Sequence, residues 1–313
     1  MTEYQQHQLS RVVPDSERAY YAALTQAYKE ASAKLLSSNI STQKRLIKVV
    51  KEIQAELYRI NNDLITNLDP DIVDIITVDA AYTHQELNIP LQQAQAGAEL
   101  YTLPKSTIKK MAHVGEMVFY RTNAKGTTLQ STATAKQMLE SIAGKAAEDV
   151  RGVIMASYAQ GDTTESMVRK IRPFMTTKQK RHARTVIRTV IGEASEQASK
   201  EFYKENSDYI EGYIFIATLD SKTSVYCGTH DGKRYKTMPD KLKNFHPNCR
   251  STILAVSDGY SLSDRPIVLA DGTIKRIKGD LTYLEAVKLF PELLVNKPIS
   301  QQRYIKSLVD KLV

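Results

Sequence analysis

Apolar residues recur at steps of three and four along much of the first two thirds of the chain, the spacing that puts one stripe on one face of a helix. In STQKRLIKVVKEIQAELYRINNDLI, opened by Ser41, that stripe is Leu46, Val49, Val50, Ile53, Leu57 and Ile60. Upstream, DSERAYYAALTQAYKEASAKLLSS reads as a helix capped by Asp15 and broken at Ser38 and Asn39, so the two segments are expected to pair antiparallel across the SNIS turn. TATAKQMLESIAGKAAEDVRGVIMASYAQG predicts a further helix that stops at Gly161, and in DTTESMVRKIRPFM the spacing of Asp162 and Glu165 suggests a capping box. TTKQKRHARTVIRTVIGEASEQASKEFYKEN predicts a third long helix. Ala183, Val186, Ile187, Val190 and Ala194 gather on its core side, and Lys178, Arg181, Arg184 and Arg188 on the other.

Between Leu68 and Leu129 the periodicity weakens around Pro70, Pro90 and Pro104, a Gln-rich QQAQAG and a polar NAKGTT, which predicts an irregular connector with short elements and a strand at EMVFYRT. After Tyr209 the texture changes. YIFIATLD and RSTILAV read as strands, HDGKRY as the Asp-Gly turn of a hairpin, and RPIVLADGTIKRIKG as a second hairpin around Asp271 and Gly272. TYLEAVKLFPELL and ISQQRYIKSLVDKLV then return to helix. The expected class is α+β, mainly α, with long helices and a small β-hairpin-rich module in the C-terminal half. The expected units are a helical hairpin over 1–68, a connector over 69–130, a module of helices and β-rich segments over 131–257, and a closing hairpin with helices over 258–313.

Hydrophobic residues make up 42% of the chain, enough for a core, while 7% aromatic content without Trp favours helices over a β-sandwich. Lys and Arg outnumber Asp and Glu by 43 to 35, a net charge of +8, which suits work near nucleic acid or acidic protein surfaces and equally suits ordinary solubility. The basic side of the third helix carries the same two meanings: a phosphate or acidic-partner surface, or a solvated face. Two cysteines rule out a disulfide framework, MTEYQQHQLSRVVPDSERAYY lacks the apolar stretch of a signal peptide, and no apolar run reaches membrane-spanning length. The expectation is a soluble protein made in a reducing cytoplasm, without a membrane partner.

Candidate chemistry concentrates in CGTHDGKRYKTMPDKLKNFHPNC, which holds both cysteines and two of the six histidines. Cys227-x2-His230 and His246-x2-Cys249 form two close pairs that would suit four tetrahedral ligands of a structural Zn2+ stapling a loop-rich element. Cys227 and Cys249 also suit a disulfide or two close thiols, Cys227 a nucleophile with His230 or His246 as base, and His246 with Cys249 a packed HPNCR turn. Spacing leaves these alternatives open.

TLDSKTSVYCGTHDGKRY followed by FHPNCRSTILAV resembles the signature of the Mu F-like minor head proteins of tailed bacteriophages, also called phage head morphogenesis proteins. The resemblance runs through Asp220, Thr223, Cys227, Asp231-Gly232 and His246-Pro247-Asn248-Cys249-Arg250, with Arg188 and Thr189 on the preceding helix, and covers about residues 130 to 257. Where the family often has a second cysteine after the arginine, this chain has Ser251. The resemblance implies a minor structural protein of the virion, in the capsid interior or at the portal vertex, assembled in the host cytoplasm. The implied partners are the portal protein, a major capsid or scaffolding protein, and packaged DNA held without sequence preference. The competing classes are a zinc-stabilised nucleic-acid adaptor and a phage-delivered enzyme or toxin. Against the last, the chain has no Glu-x-Glu pair, no phosphate-binding GxxxxGK[S/T] loop and no HExxH.

Overall fold

The structure, a computed structural model, describes residues 13–38, 42–94, 99–114, 116–122, 128–239, 249–257 and 262–312. The first helix, α1 (Val13–Ser37), buries Tyr20, Leu24, Ala27, Ala31 and Leu35. Asp15, expected ahead of the helix as its cap, lies in its first turn together with Pro14, whose missing N–H is tolerated there. The helix packs along α2 (Gln43–Ala94), whose buried stripe begins with the residues named from the sequence, from Leu46 to Ile60.

That stripe does not end at residue 68. Leu64, Leu68, Ile72, Ile75, Ile76 and Leu87 continue it, and α2 runs for 52 residues through Pro70 and Pro90. The expected irregular connector is therefore helix up to Ala94. A proline costs an interior helix about 3 kcal/mol, which several fully buried aliphatic side chains outweigh at roughly 1.5–3 kcal/mol each. Beyond it come α3 (Lys105–Val114) and a hairpin of β1 (Glu116–Thr122), the strand expected at EMVFYRT, with β2 (Thr128–Thr134).

Helix α4 (Ala135–Ala159) starts at a capping box in which Thr134 and Gln137 exchange side-chain and backbone hydrogen bonds. The cap of α5 (Thr164–Met175) is Thr163, whose hydroxyl accepts from the Ser166 N–H. Asp162, expected to cap, instead accepts from the Ser166 hydroxyl and pairs with Lys170, because the extended backbone falls one residue later. The central element is α6 (Thr177–Glu205). It packs against α1, α2, α4 and α5 through Ala183, Val186, Ile187, Val190, Ile191, Ala194 and Ala198. Buried amides pin the bundle: Gln179 donates to the Ile142 carbonyl at 2.6 Å and Asn61 to the Leu139 carbonyl at 3.1 Å. At the far end of α6, Asn206 bonds the backbone of Tyr101 in both directions, tying down the segment before α3.

The β-rich half consists of two three-stranded sheets. In one, β3 (Gly212–Ile216) lies between β5 (Arg234–Tyr235) and β6 (Thr252–Val256), antiparallel to both. In the other, β7 (Arg265–Val268) lies between the short parallel β4 (Leu219–Asp220) and antiparallel β8 (Ile274–Ile277). The β7–β8 hairpin turns at Asp271 and Gly272 as expected, with Gly272 at φ 88°. HDGKRY differs: β4 and the one-turn helix α7 (Val225–His230) intervene between β3 and its antiparallel neighbour β5, so Asp231 and Gly232 end a long excursion and do not form a tight hairpin turn. Helices α8 (Tyr283–Leu289) and α9 (Ile299–Val309) close a second core around Leu219, Ile267, Tyr283, Val287, Leu293, Leu294 and Ile305.

Candidate structural and interaction site

Ala217–Asp220 leave β3 and pass into a turn whose backbone is held from several directions. Asp220 accepts the Lys222 N–H at 2.9 Å and the Thr223 hydroxyl at 3.1 Å, and the Thr223 hydroxyl also reaches the Thr218 carbonyl. From the C-terminal unit, the buried Lys297 ammonium donates to the carbonyls of Ser221 and Thr223. Burial lowers the pKa of Lys297, and those carbonyls replace its lost water.

Arg250, at the start of β6, meets Asp220 in a bidentate pair through Nη1 and Nη2, the latter at 2.8 Å. Burial alone would raise the Asp220 pKa, but the Arg250 hydrogen bonds and charge, with the Lys222 N–H and the Thr223 hydroxyl, hold it below the usual carboxylate value. Ser224 caps α7 by accepting the Cys227 N–H at 3.1 Å, and so turns Cys227 inward. Cys249 approaches from the other side, with its carbonyl 3.7 Å from where a Cβ on Gly192 of α6 would stand. The two sulfur atoms lie 3.8 Å apart, both as thiols.

The thiols are unequal. Cys227 is buried and Cys249 half-buried. The hydrogen bond shared with Cys249, then burial, push the Cys227 thiol well above its ordinary pKa, the opposite of what a nucleophile needs. The cleft beside it, lined by Thr218, Lys222, Thr223, Ser224, Cys227, Arg250 and Ser251, measures about 20 Å³, room for about one water molecule. This geometry suits a structural joint.

His230, Cys227's neighbour in the expected zinc set, donates from Nδ1 to the Tyr226 carbonyl at 2.9 Å and stacks on the Tyr226 ring at 4.1 Å. That bond fixes the tautomer and leaves Nε2 as the nitrogen with a lone pair. His246 lies outside the described residues. Among the described residues no group of three or more His, Cys, Asp or Glu side chains is disposed to hold a metal ion.

Asp231, read from sequence as a turn residue, is 5% exposed and accepts from three elements. The Ala217 N–H reaches it at 2.7 Å, the Tyr283 N–H at 2.7 Å, and the Arg265 guanidinium at 3.0 and 3.1 Å. Nη1 of Arg265 also donates to the Leu281 carbonyl and Nη2 to the Ala217 carbonyl. This pair joins the two sheets to the start of α8. Sequence reasoning misses it because Asp231 and Arg265 stand 34 positions apart.

The basic side of α6 divides. Lys178 and Arg181 are exposed, with the Lys178 ammonium 4.0 Å from the centre of the Phe174 ring. Arg184 pairs at 2.5 Å with Glu17 of α1, a buried carboxylate that also receives the Tyr21 hydroxyl. Arg188 is half-buried, its Nε without a hydrogen-bond partner among the described residues and its charge close to those of Glu17, Arg184 and Arg250. Lys178 also borders an open cleft of about 420 Å³ lined by Ser141, Lys145, Asp149, Phe174, Gln179 and His182. Burial, then the charge of Lys145, lower the His182 pKa. Lys145 pairs with Asp149 at 2.8 Å, so of these lining residues Lys178 is the one that belongs to the basic side found on the helical wheel.

Residues 148–254 match the model of a family described as phage Mu protein F like protein. The match runs from within α4 to β6. It takes in the Asp220–Arg250 pair and both cysteines, and stops short of Arg265, Tyr283 and Lys297. No curated protein and no solved structure matches the chain.

Proposed function

We propose that this chain, whose residues 148–254 match the model of the phage Mu protein F like family, is a head morphogenesis protein of a tailed bacteriophage. In finer detail, it is a minor component of the virion that binds the portal protein and acts in head assembly, DNA packaging or genome delivery. The family match carries the proposal. The Asp220–Arg250 and Cys227–Cys249 joints support it, since they knit a module together around a cleft too small for a substrate. Long helices offer docking length: at about 1.5 Å per residue, α2 is about 78 Å long. The test is native mass spectrometry of the full chain mixed with its portal protein. A complex of fixed stoichiometry is expected. Absence of any complex, together with chelator-sensitive DNA binding by the isolated chain, would favour the nucleic-acid adaptor.

Packaged DNA is the proposed partner of Lys178 and Arg181, with Arg184 and Arg188 as a second, partly neutralised tier. Interactions of this kind go to phosphates and carry no sequence information. The double variant Lys178→Ala, Arg181→Ala is expected to weaken duplex binding equally on unrelated sequences. It should also reduce the slope of log K against log salt by about two, near one for each phosphate that is no longer neutralised. Binding that ignores salt concentration would contradict it.

Structural Zn2+ on Cys227, His230, His246 and Cys249 belongs to the same proposal. Zn–S bonds of about 2.3 Å at tetrahedral angles set two sulfur atoms about 3.8 Å apart, the separation of this pair, and His230 would ligate through Nε2. A zinc ion retained on native mass spectra and lost in Cys249→Ser is the expected result.

A further inference from the structure

We propose that Cys227 and Cys249 form a redox-responsive dithiol that closes to an intramolecular disulfide when the protein meets a disulfide oxidant such as oxidised glutathione. The two sulfur atoms already lie 3.8 Å apart, and each is delivered by a fixed element. Ser224 anchors the start of α7 on one side. On the other, Arg250 is locked to Asp220 immediately after Cys249. An S–S bond of about 2.05 Å is then reached by side-chain rotation, without moving either backbone far.

The inequality of the thiols sets the order of events. Cys249, the more exposed and next to the Arg250 guanidinium, attacks the oxidant first. Its thiolate forms a mixed disulfide with one glutathione and releases the other as a thiol. Cys227 then attacks the Cys249 sulfur, loses its proton and expels the second glutathione. Two protein thiols and one glutathione disulfide become one protein disulfide and two glutathione thiols, so two electrons and two protons pass to the oxidant.

Closure would join α7 to the start of β6 and enclose the 22-position separation between them, including β5. Its use rests on the head-protein reading: such a protein is built in a reducing cytoplasm and later carried outside the cell, so the same pair would be open during assembly and closed afterwards. A disulfide and a thiolate-bound metal exclude each other, because each consumes both sulfur atoms. The assay therefore starts from chelated protein.

The test incubates the full, reduced, chelated chain in a series of glutathione redox buffers, followed by acid quenching, alkylation of remaining thiols and intact mass measurement. A monomer lighter by two hydrogen masses is expected, with the Cys227 and Cys249 peptides linked. It should form at an oxidised-to-reduced glutathione ratio at least about tenfold lower than for the guanidinium-unfolded chain, because a bond that stabilises the fold is stabilised by it in turn. Cys227→Ser should stop at the glutathione adduct on Cys249. Stable adducts on both cysteines of the unaltered chain, intermolecular dimers, or closure no easier than in guanidinium would overturn the proposal. The assay uses purified protein alone, so it can fail while portal binding succeeds, and the reverse.

Discussion

Replacing Asp231 by alanine is expected to cost about 3–5 kcal/mol of unfolding free energy, because it leaves the Arg265 guanidinium buried without its counter-charge. The pair is almost sealed from water, with side-chain exposures of 6% for Arg265 and 0% for Asp231, so solvent cannot replace the lost carboxylate. The N–H groups of Ala217 and Tyr283 lose their acceptor at the same time. The measurement is urea denaturation followed by tyrosine fluorescence, since the chain has 17 Tyr and no Trp. Removing both charges, as in Asp231→Leu with Arg265→Met, should cost clearly less than Asp231→Ala. An equal or larger loss would mean that the carboxylate's hydrogen bonds to the backbone, and not the stranded charge, dominate.

The second large effect is expected at Asp220. Its alanine variant strands Arg250 beside the half-buried Arg188, and we expect a loss of about 3 kcal/mol, nearer the lower end for broken buried pairs because the Arg250 side chain keeps 30% exposure. The pH dependence separates charge from packing. Arg250 stays protonated throughout, while the Asp220 carboxyl titrates below its ordinary pKa. Its contribution is complete above the unfolded carboxyl value of about 3.9 and disappears as pH falls through the lower folded value. The stability gap between the native chain and Asp220→Asn should therefore be constant from neutral pH down to about 5 and narrow in more acid solution. A gap unchanged below that window would show that the carboxylate charge contributes nothing.

These two joints also show what the sequence can and cannot reveal. The core faces of α2 and α6 are readable because each is a local repeat: Leu46 to Ile60 and Ala183 to Ala194 are buried as their spacing requires. The continuation of α2 is readable too, in Ile72, Ile75, Ile76 and Leu87, but Pro70 and Pro90 read locally as breakers, and tertiary burial overrides them. At the site, the motif residues draw attention to Asp220, Cys227, Asp231, Cys249 and Arg250 without their partnerships. The Asp220–Arg250 pair spans 30 positions, and Lys297 reaches back 74 and 76 positions to its carbonyls. No periodicity encodes such distances. The basic helix fails in a different way: a wheel assigns Arg184 and Arg188 to one side, but Glu17 of α1 and Arg250, just ahead of β6, stand on that side too.

The C-terminal segments explain why the module cannot be read as ending with the family match. Asp231 lies within residues 148–254, yet its counter-charge and one of its backbone donors come from Arg265 and Tyr283 beyond them. The turn that carries Asp220 is likewise held by Lys297. The matched region and the segments after it therefore share polar joints as well as the core around Leu219 and Tyr283.

A role in the phage head is tested most directly by quantitative mass spectrometry of heads purified after assembly from the cognate portal and capsid proteins, with this chain present or omitted. The chain should co-purify in a small fixed number of copies per portal, and heads assembled without it should package less DNA or deliver it less effectively. Heads that exclude the chain, and assemble, package and deliver equally well without it, would overturn that role.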